Sequence, residues 1–239
     1  MRKIDLEAEK NFENKKINFK NTRIRQEKYY WATQLSIDSH EELTFRKINN
    51  KRVLEIGCSN GNSAIRYTKF SSYYCGIDIS DQAINKAKLL NLKNSDFLCM
   101  DGHNIKLKDE EFDCVIVNSL LHHLDLAKLL PEIYRLLDSE GLLIFREPLG
   151  LNPIFNFYRW ITPYARTDDE IPLSLADINL LRKYFVITNI QWFGFFTIIS
   201  AFLKFKLLRK ILTSLDMFLS KTPLKFLFWQ ISGIGKKIV

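Results

Sequence analysis

Residues 53–64 read VLEIGCSNGNSA, an apolar run entering a turn with glycines at Gly57 and Gly61 and a carboxylate at Glu55. Glycine lets the backbone turn tightly and come close to a ligand, so this is one wall of a ligand-binding crevice. The spacing is not the G-x-G-x-x-G of a dinucleotide site, whose third glycine admits close helix packing. The next apolar run ends in GIDIS, which places Asp78 21 residues after Gly57. An acid at that strand tip can accept hydrogen bonds from both hydroxyls of a ribose. A third run ends in Asp101 and Gly102, suited to the amino group of an adenine, and a fourth ends in Asn118 and Ser119. Four polar or glycine-bearing strand ends in order specify an adenosine-containing ligand better than any one of them alone.

Such ends need a sheet to carry them. Apolar runs at 52–56, 73–79, 96–100, 112–118, 142–146 and 185–192 read as strands, with helical patterns near 62–70, 82–90, 124–137 and 174–184. Strands alternating with helices mean a mostly parallel sheet covered on both faces. Ahead of them, three helices are expected near 6–16, 23–37 and 40–48, a stretch without glycine or proline. Residues 152–169 contain Pro153 and Pro163 among several aromatics and read as a loop over the upper edge of the sheet. Helical patterns lie between 199 and 219, and 225–231 is expected to return as a last strand at the sheet edge.

A chain of 239 residues with 46% hydrophobic and 26% charged residues can bury one substantial core. The first ten residues carry charges where a leader would be apolar, and the apolar stretch 193–203 is too short to cross a bilayer, so a cytoplasmic location is expected. The four cysteines (Cys58, Cys75, Cys99 and Cys114) form no CxxC pair, which indicates neither a metal site nor a disulfide framework. The net charge of +8 is unevenly placed: from residue 193 onward eight basic residues face a single acid, Asp216. A surplus of that kind attracts anionic lipid, nucleic acid or a phosphorylated substrate, or is simply a solvated surface.

Residues 52–148 resemble the class I S-adenosylmethionine-dependent methyltransferases, through VLEIGCSNG, GIDIS, CMDGHNI, FDCVIVNSLLHHL and LLDSEGLLIFREP. The resemblance implies an α/β, Rossmann-like methyltransferase fold: a mostly parallel seven-stranded sheet with helices on both faces and an antiparallel last strand, which 225–231 would supply. It divides the chain into an N-terminal helical lid (1–50), a cofactor-binding core (51–150) and an acceptor-side region of loop, cap helices and remaining strands (151–239). By position, Glu55, Gly57, Cys58, Ser59 and Gly61 would surround the methionine part of S-adenosylmethionine. Asp78 and Ile79 would hold the ribose, Asp101 and Gly102 would face the adenine, and Asn118 would lie beside the sulfonium. Many members carry glycine where this chain has Ser59.

The implied activity is methyl transfer to an oxygen, nitrogen or sulfur atom of a small-molecule acceptor, anionic or apolar, with S-adenosylhomocysteine as product. The sulfonium activates the methyl group, so the protein must chiefly align the acceptor and exclude water. A base is needed only when the acceptor must lose a proton. His122, His123 and Glu147 are the candidates, each with the competing reading of a group that packs or fixes a loop. Tyr158, Arg159, Tyr164 and Arg166 are candidates for shaping the acceptor pocket, the arginines favouring an anionic group. Tyr29 and Tyr30 are placed to close over the cofactor, unless they only pack.

The alternatives are an RNA- or lipid-modifying methyltransferase and a non-catalytic S-adenosylmethionine-binding partner. Nucleic acid is not favoured, because NSLLHH stands where an amino-directed enzyme would carry N/D-P-P-Y/F, and no Pro-Cys nucleophile occurs. Peripheral membrane contact would use the basic C-terminal region. There, apolar positions 198, 202, 205 and 212 form one helical stripe and 199, 203, 207 and 211 another on the far side, which fits a cap packed on the protein better than a surface-lying helix.

Overall fold

Among the described residues seven strands form one sheet: β1 (Arg52–Ile56), β2 (Tyr73–Asp78), β3 (Ser95–Cys99), β4 (Phe112–Asn118), β5 (Leu137–Pro148), β6 (Phe185–Phe193) and β7 (Gln230–Lys237), in the order β3-β2-β1-β4-β5-β7-β6. The computed structural model describes residues 27–161, 171–201, 203 and 205–238, together with 7, 8, 10, 11 and 14. The five strands β1 to β5 pair in parallel, and β7 runs antiparallel to both β5 and β6. The central strands are apolar almost throughout because helices bury both faces, as in β4, where only Asp113 and Asn118 are not buried.

Alternate side chains of these strands feed two cores. Leu54, Ile56, Val115, Val117, Leu143 and Phe145 pack on one face against α4 (Leu126–Leu136) and α6 (Leu175–Tyr184). Val53, Cys114, Ile116 and Ile144 pack on the other against α1 (Glu27–Ile48), the single turn α2 (Ala64–Tyr67) and α3 (Asp81–Lys88). The strand-end residues therefore share one edge of the sheet but are divided between its two faces.

Four expectations need correction. The helices expected at 23–37 and 40–48 are one helix, α1, whose Gln34 and Asp38 side chains bond across 2.7 Å at the expected break and whose Thr44 hydroxyl donates to the His40 carbonyl. The loop expected over 152–169 contains α5 (Pro153–Ile161), with Pro153 at the first helical position, where its missing N–H costs nothing. The helix expected near 62–70 is only the turn α2.

The last strand is Gln230–Lys237 rather than 225–231, and it lies inside the sheet, with β6 at the edge. Thr222 caps a 3-10 turn, Pro223–Leu227, that takes up the residues read as strand. The true strand contains Gly233 and Gly235, which weaken a strand pattern in sequence. Gly235 is needed there because a Cβ would stand 2.8 Å from Cβ of Phe185. Helix α7 (Lys206–Leu219) precedes that turn, and no helix among the described residues is long and apolar enough to cross a membrane.

Candidate functional site

After β1 the chain turns through Gly57 at φ +79°, Ser59 at +48° and Gly61 at +77°. The amides of Gly57 and Cys58 donate to the Ile77 carbonyl at 2.8 and 3.0 Å, tying the turn to β2. Ser59 occupies the left-handed region, where a side chain costs energy. A Cβ on Gly61 would stand 2.8 Å from Leu90 and 3.1 Å from Ala87. Its close approach is to the end of α3, a packing requirement that sequence alone could not separate from ligand contact. Cys58 is buried with its sulfur against Gly76, and burial pushes its thiol far above the usual range.

Glu55 is 4% exposed and accepts from the Ser63 hydroxyl at 2.6 Å and the Tyr74 hydroxyl at 2.5 Å. Burial pushes its carboxyl up to about 7, against the pull of those two hydrogen bonds. It braces the turn from inside.

Asp78 ends β2 with its oxygens divided: Oδ2 accepts the Ser59 amide and Oδ1 the Ser80 amide, each at 2.9 Å. Ile79 follows, and the Ser80 hydroxyl accepts the Ala83 amide at 3.0 Å, capping α3. Two upstream residues reach this tip: Lys10 pairs with Asp81 at 3.0 Å, and Asn14 bonds the Ser80 hydroxyl.

Asp101 lies just past β3, held by a residue that sequence reasoning passed over. The Asp125 amide donates to Nε2 of His103 at 3.0 Å, so the ring proton sits on Nδ1, which faces Oδ1 of Asp101 at 3.0 Å. The His103 amide donates to the same oxygen at 2.9 Å. Gly102 is buried beside Leu124 and Ile56. The signal lay in DGH, a carboxylate two residues before a histidine.

At the end of β4 the two faces diverge. Asn118 turns toward α1: its carbonyl oxygen takes Nε2 of His40 at 2.9 Å, and its amide donates to the Tyr67 hydroxyl at 3.3 Å. His40 is buried; desolvation, then the charge of Arg146, hold its pKa down to about 4. Asn118, expected beside the sulfonium, is thus already bonded to two helices.

On the opposite face Glu147, 1% exposed, accepts the Leu120 and Leu121 amides on Oε1 at 2.9 and 3.0 Å and faces Nδ1 of His122 with Oε2 at 2.7 Å. The His123 ring lies 4.1 Å from that of His122. The Ile171 amide donates to the His122 carbonyl at 3.2 Å, so the excursion carrying α5 leaves from β5 and returns against this same turn. Arg159 is half-buried on α5. Tyr164 and Arg166, and the side chains of Tyr29, Tyr30 and Tyr158, lie outside the described residues.

The sequence profile of the methyltransferase domain family matches residues 54–145. A phthiotriol/phenolphthiotriol dimycocerosates methyltransferase of Mycobacterium ulcerans is 29% identical over 144 residues, 59% of this chain and 52% of that protein. The chain thus spans about half the length of this curated relative. Among solved structures, geranyl diphosphate C-methyltransferase from Streptomyces coelicolor superposes with a TM-score of 0.63 at 13% identity, over 86% of this chain and 81% of the other. The N-methyltransferase NodS of Bradyrhizobium japonicum, bound to S-adenosylhomocysteine, gives 0.56 at 14%, over 84% and 87%. These superpositions carry the fold, and the profile match is a likeness confined to residues 54–145. Residues 54–145 are thus similar to the methyltransferase domain family, on a fold shared with an N-methyltransferase that binds S-adenosylhomocysteine.

Proposed function

We propose that this chain binds S-adenosylmethionine at the edge formed by the ends of β1 to β4 and transfers its methyl group to a small-molecule acceptor. The observation that carries the reading is Asp78, whose two oxygens are each oriented by one backbone amide beside the left-handed turn. That donor set fits an adenosine: Asp78 accepts from the ribose hydroxyls, and Asp101, fixed by His103, accepts from the adenine amino group. The turn at 57–61 borders the methionine part, with Glu55 and Cys58 supporting it from behind. Lys10 and Asn14 contribute cover at the tip of β2.

The bound cofactor supplies an activated methyl group, and this chain's residues align the acceptor and handle its proton. A carboxylate facing Nδ1 of His122 fixes the ring proton there and leaves the lone pair on Nε2. His122 is then the base for a hydroxyl, thiol or protonated amine, and Glu147 is the group that positions it. Helix α5 is on the acceptor side, since it follows β5 and Ile171 returns to the His122 carbonyl. Homologues include lipid methyltransferases, which favours an apolar acceptor over a nucleic acid.

Calorimetry with S-adenosylhomocysteine tests the reading. The protein should bind it, and Asp78→Ala should lose about 1.5–3 kcal/mol for each hydrogen bond to the carboxylate. Unchanged affinity in a folded Asp78→Ala protein sinks the assignment.

A further inference from the structure

Helix α7 keeps an apolar stripe in solvent while an adjoining face is held in place. With 3.6 residues per turn, Leu208, Leu212 and Asp216 share one face, and Leu207, Ile211, Leu215 and Phe218 form an adjoining face centred about 100° away. The inner side is anchored at two points. Asp216, buried, accepts the amides of Gly194, Phe195, Phe196 and Thr197 at 2.7 to 3.3 Å, and also the Thr197 hydroxyl. Arg209 donates to the Trp31 carbonyl at 2.8 Å and lies 4.5 Å from the centre of that indole ring. These anchors fix the rotation of the helix, so the outer stripe cannot turn inward, and Leu207 and Phe218 stand 72% and 69% exposed.

Lys206 and Lys210 flank that stripe in solvent, and Lys221 follows it. The single acid from residue 193 onward is the buried Asp216, so the exposed charge of this segment is entirely positive. The turn after α7 is tied to the start of α5 by the Asn152 side chain on the Leu227 carbonyl, and α5 exposes Phe157 and Trp160. Tryptophan favours the headgroup level of a bilayer.

We propose that the outer face of α7 docks this protein on an anionic lipid surface. Large apolar side chains flanked by lysines match an interface that offers acyl chains below and negative headgroups above. A second copy of the chain would set lysines against lysines. A nucleic acid would answer the charges but leave Leu207, Ile211 and Phe218 in water. The inference is independent of cofactor binding.

The test is co-sedimentation of the full chain, without cofactor, with vesicles of phosphatidylcholine alone and of phosphatidylcholine mixed with phosphatidylglycerol. The protein should partition onto the mixed vesicles and less at high salt. Lys206→Gln with Lys210→Gln should weaken partition about 25-fold, at about fivefold per lysine. Ile211→Ser with Phe218→Ser should weaken it at least about tenfold, by loss of buried apolar area. All four side chains are exposed, so the melting temperature of each variant should match the parent. Absence of partition, or partition that both variants keep, overturns the proposal. A dimer in sedimentation velocity that the apolar variant dissociates overturns it in favour of a second copy.

Discussion

Nδ1 of His122 lies 2.7 Å from Oε2 of Glu147, and the carboxylate side chain has no solvent exposure. Its other oxygen carries the Leu120 and Leu121 amides, so one side chain fixes both the turn after β4 and the tautomer of the histidine within it. Glu147→Gln separates these tasks. The glutamine carbonyl can keep the two amides, while its NH₂ group forces the His122 proton onto Nε2. With an acceptor that must lose a proton, single-turnover rates should fall about 10²–10⁴-fold, with cofactor affinity and melting temperature little changed. His122→Ala should fall as far. If both variants keep the parent rate and pH profile, alignment alone accounts for the chemistry.

Two residues of the β1 turn should respond in opposite senses. Gly61→Ala combines about 1–2 kcal/mol for a left-handed side chain with about 1–3 kcal/mol for overpacking Leu90 and Ala87. Urea unfolding should show a loss of about 2–5 kcal/mol. Ser59→Gly releases the first cost and loses only about 0.4–1 kcal/mol of unfolded-state entropy, for a net gain of about 0.5–1 kcal/mol. A Gly61→Ala protein as stable as the parent would contradict the packing described for α3.

His40 and Glu55 impose opposite pH dependences on stability. His40 has a folded pKa of about 4 against an ordinary 6.5. Between those values only the unfolded chain takes the proton, so stability falls as pH drops through that window. Glu55 has a folded pKa of about 7 against 4.5. There the folded chain holds a proton the unfolded chain has lost, so stability falls as pH rises through that window. Each contributes roughly 3 kcal/mol, and in the parent they largely offset. His40→Gln should be more stable near pH 5 than near pH 7, and Glu55→Gln the reverse, by denaturant titration at each pH. Persistence of the parent's profile in both variants would count against both assignments.

The strand ends are legible in the sequence because each sits at a sharp change of pattern: Gly57 where an apolar run stops, Asp78 and Asp101 one step past the next two. The sheet was readable through β6 for the same reason. Three things were not. Sequence does not show which face a strand-end residue takes, and this separates Asn118, bonded to α1 and α2, from Glu147, bonded to the turn after β4. It does not show that Glu55 is spent on Ser63 and Tyr74, since both partners arrive through tertiary packing. Nor does it show which stripe of α7 packs; that is decided by Asp216, whose acceptors are filled by a turn some twenty residues upstream.

The position of β7 also bears on how the protein is made. Among the described residues β6 pairs only with β7, and β7 lies between it and β5, yet β7 is the last of the seven strands in chain order. While the ribosome is still adding residues up to 237, β5 presents an open edge and β6 has no partner, although β1 to β5 can already pair. At about 5–20 residues per second this interval lasts seconds, long enough for an unpaired strand to meet another nascent chain. A premature stop before Gln230 makes that state permanent, so shortened products should be recognised by chaperones or aggregate rather than accumulate as partly active enzyme.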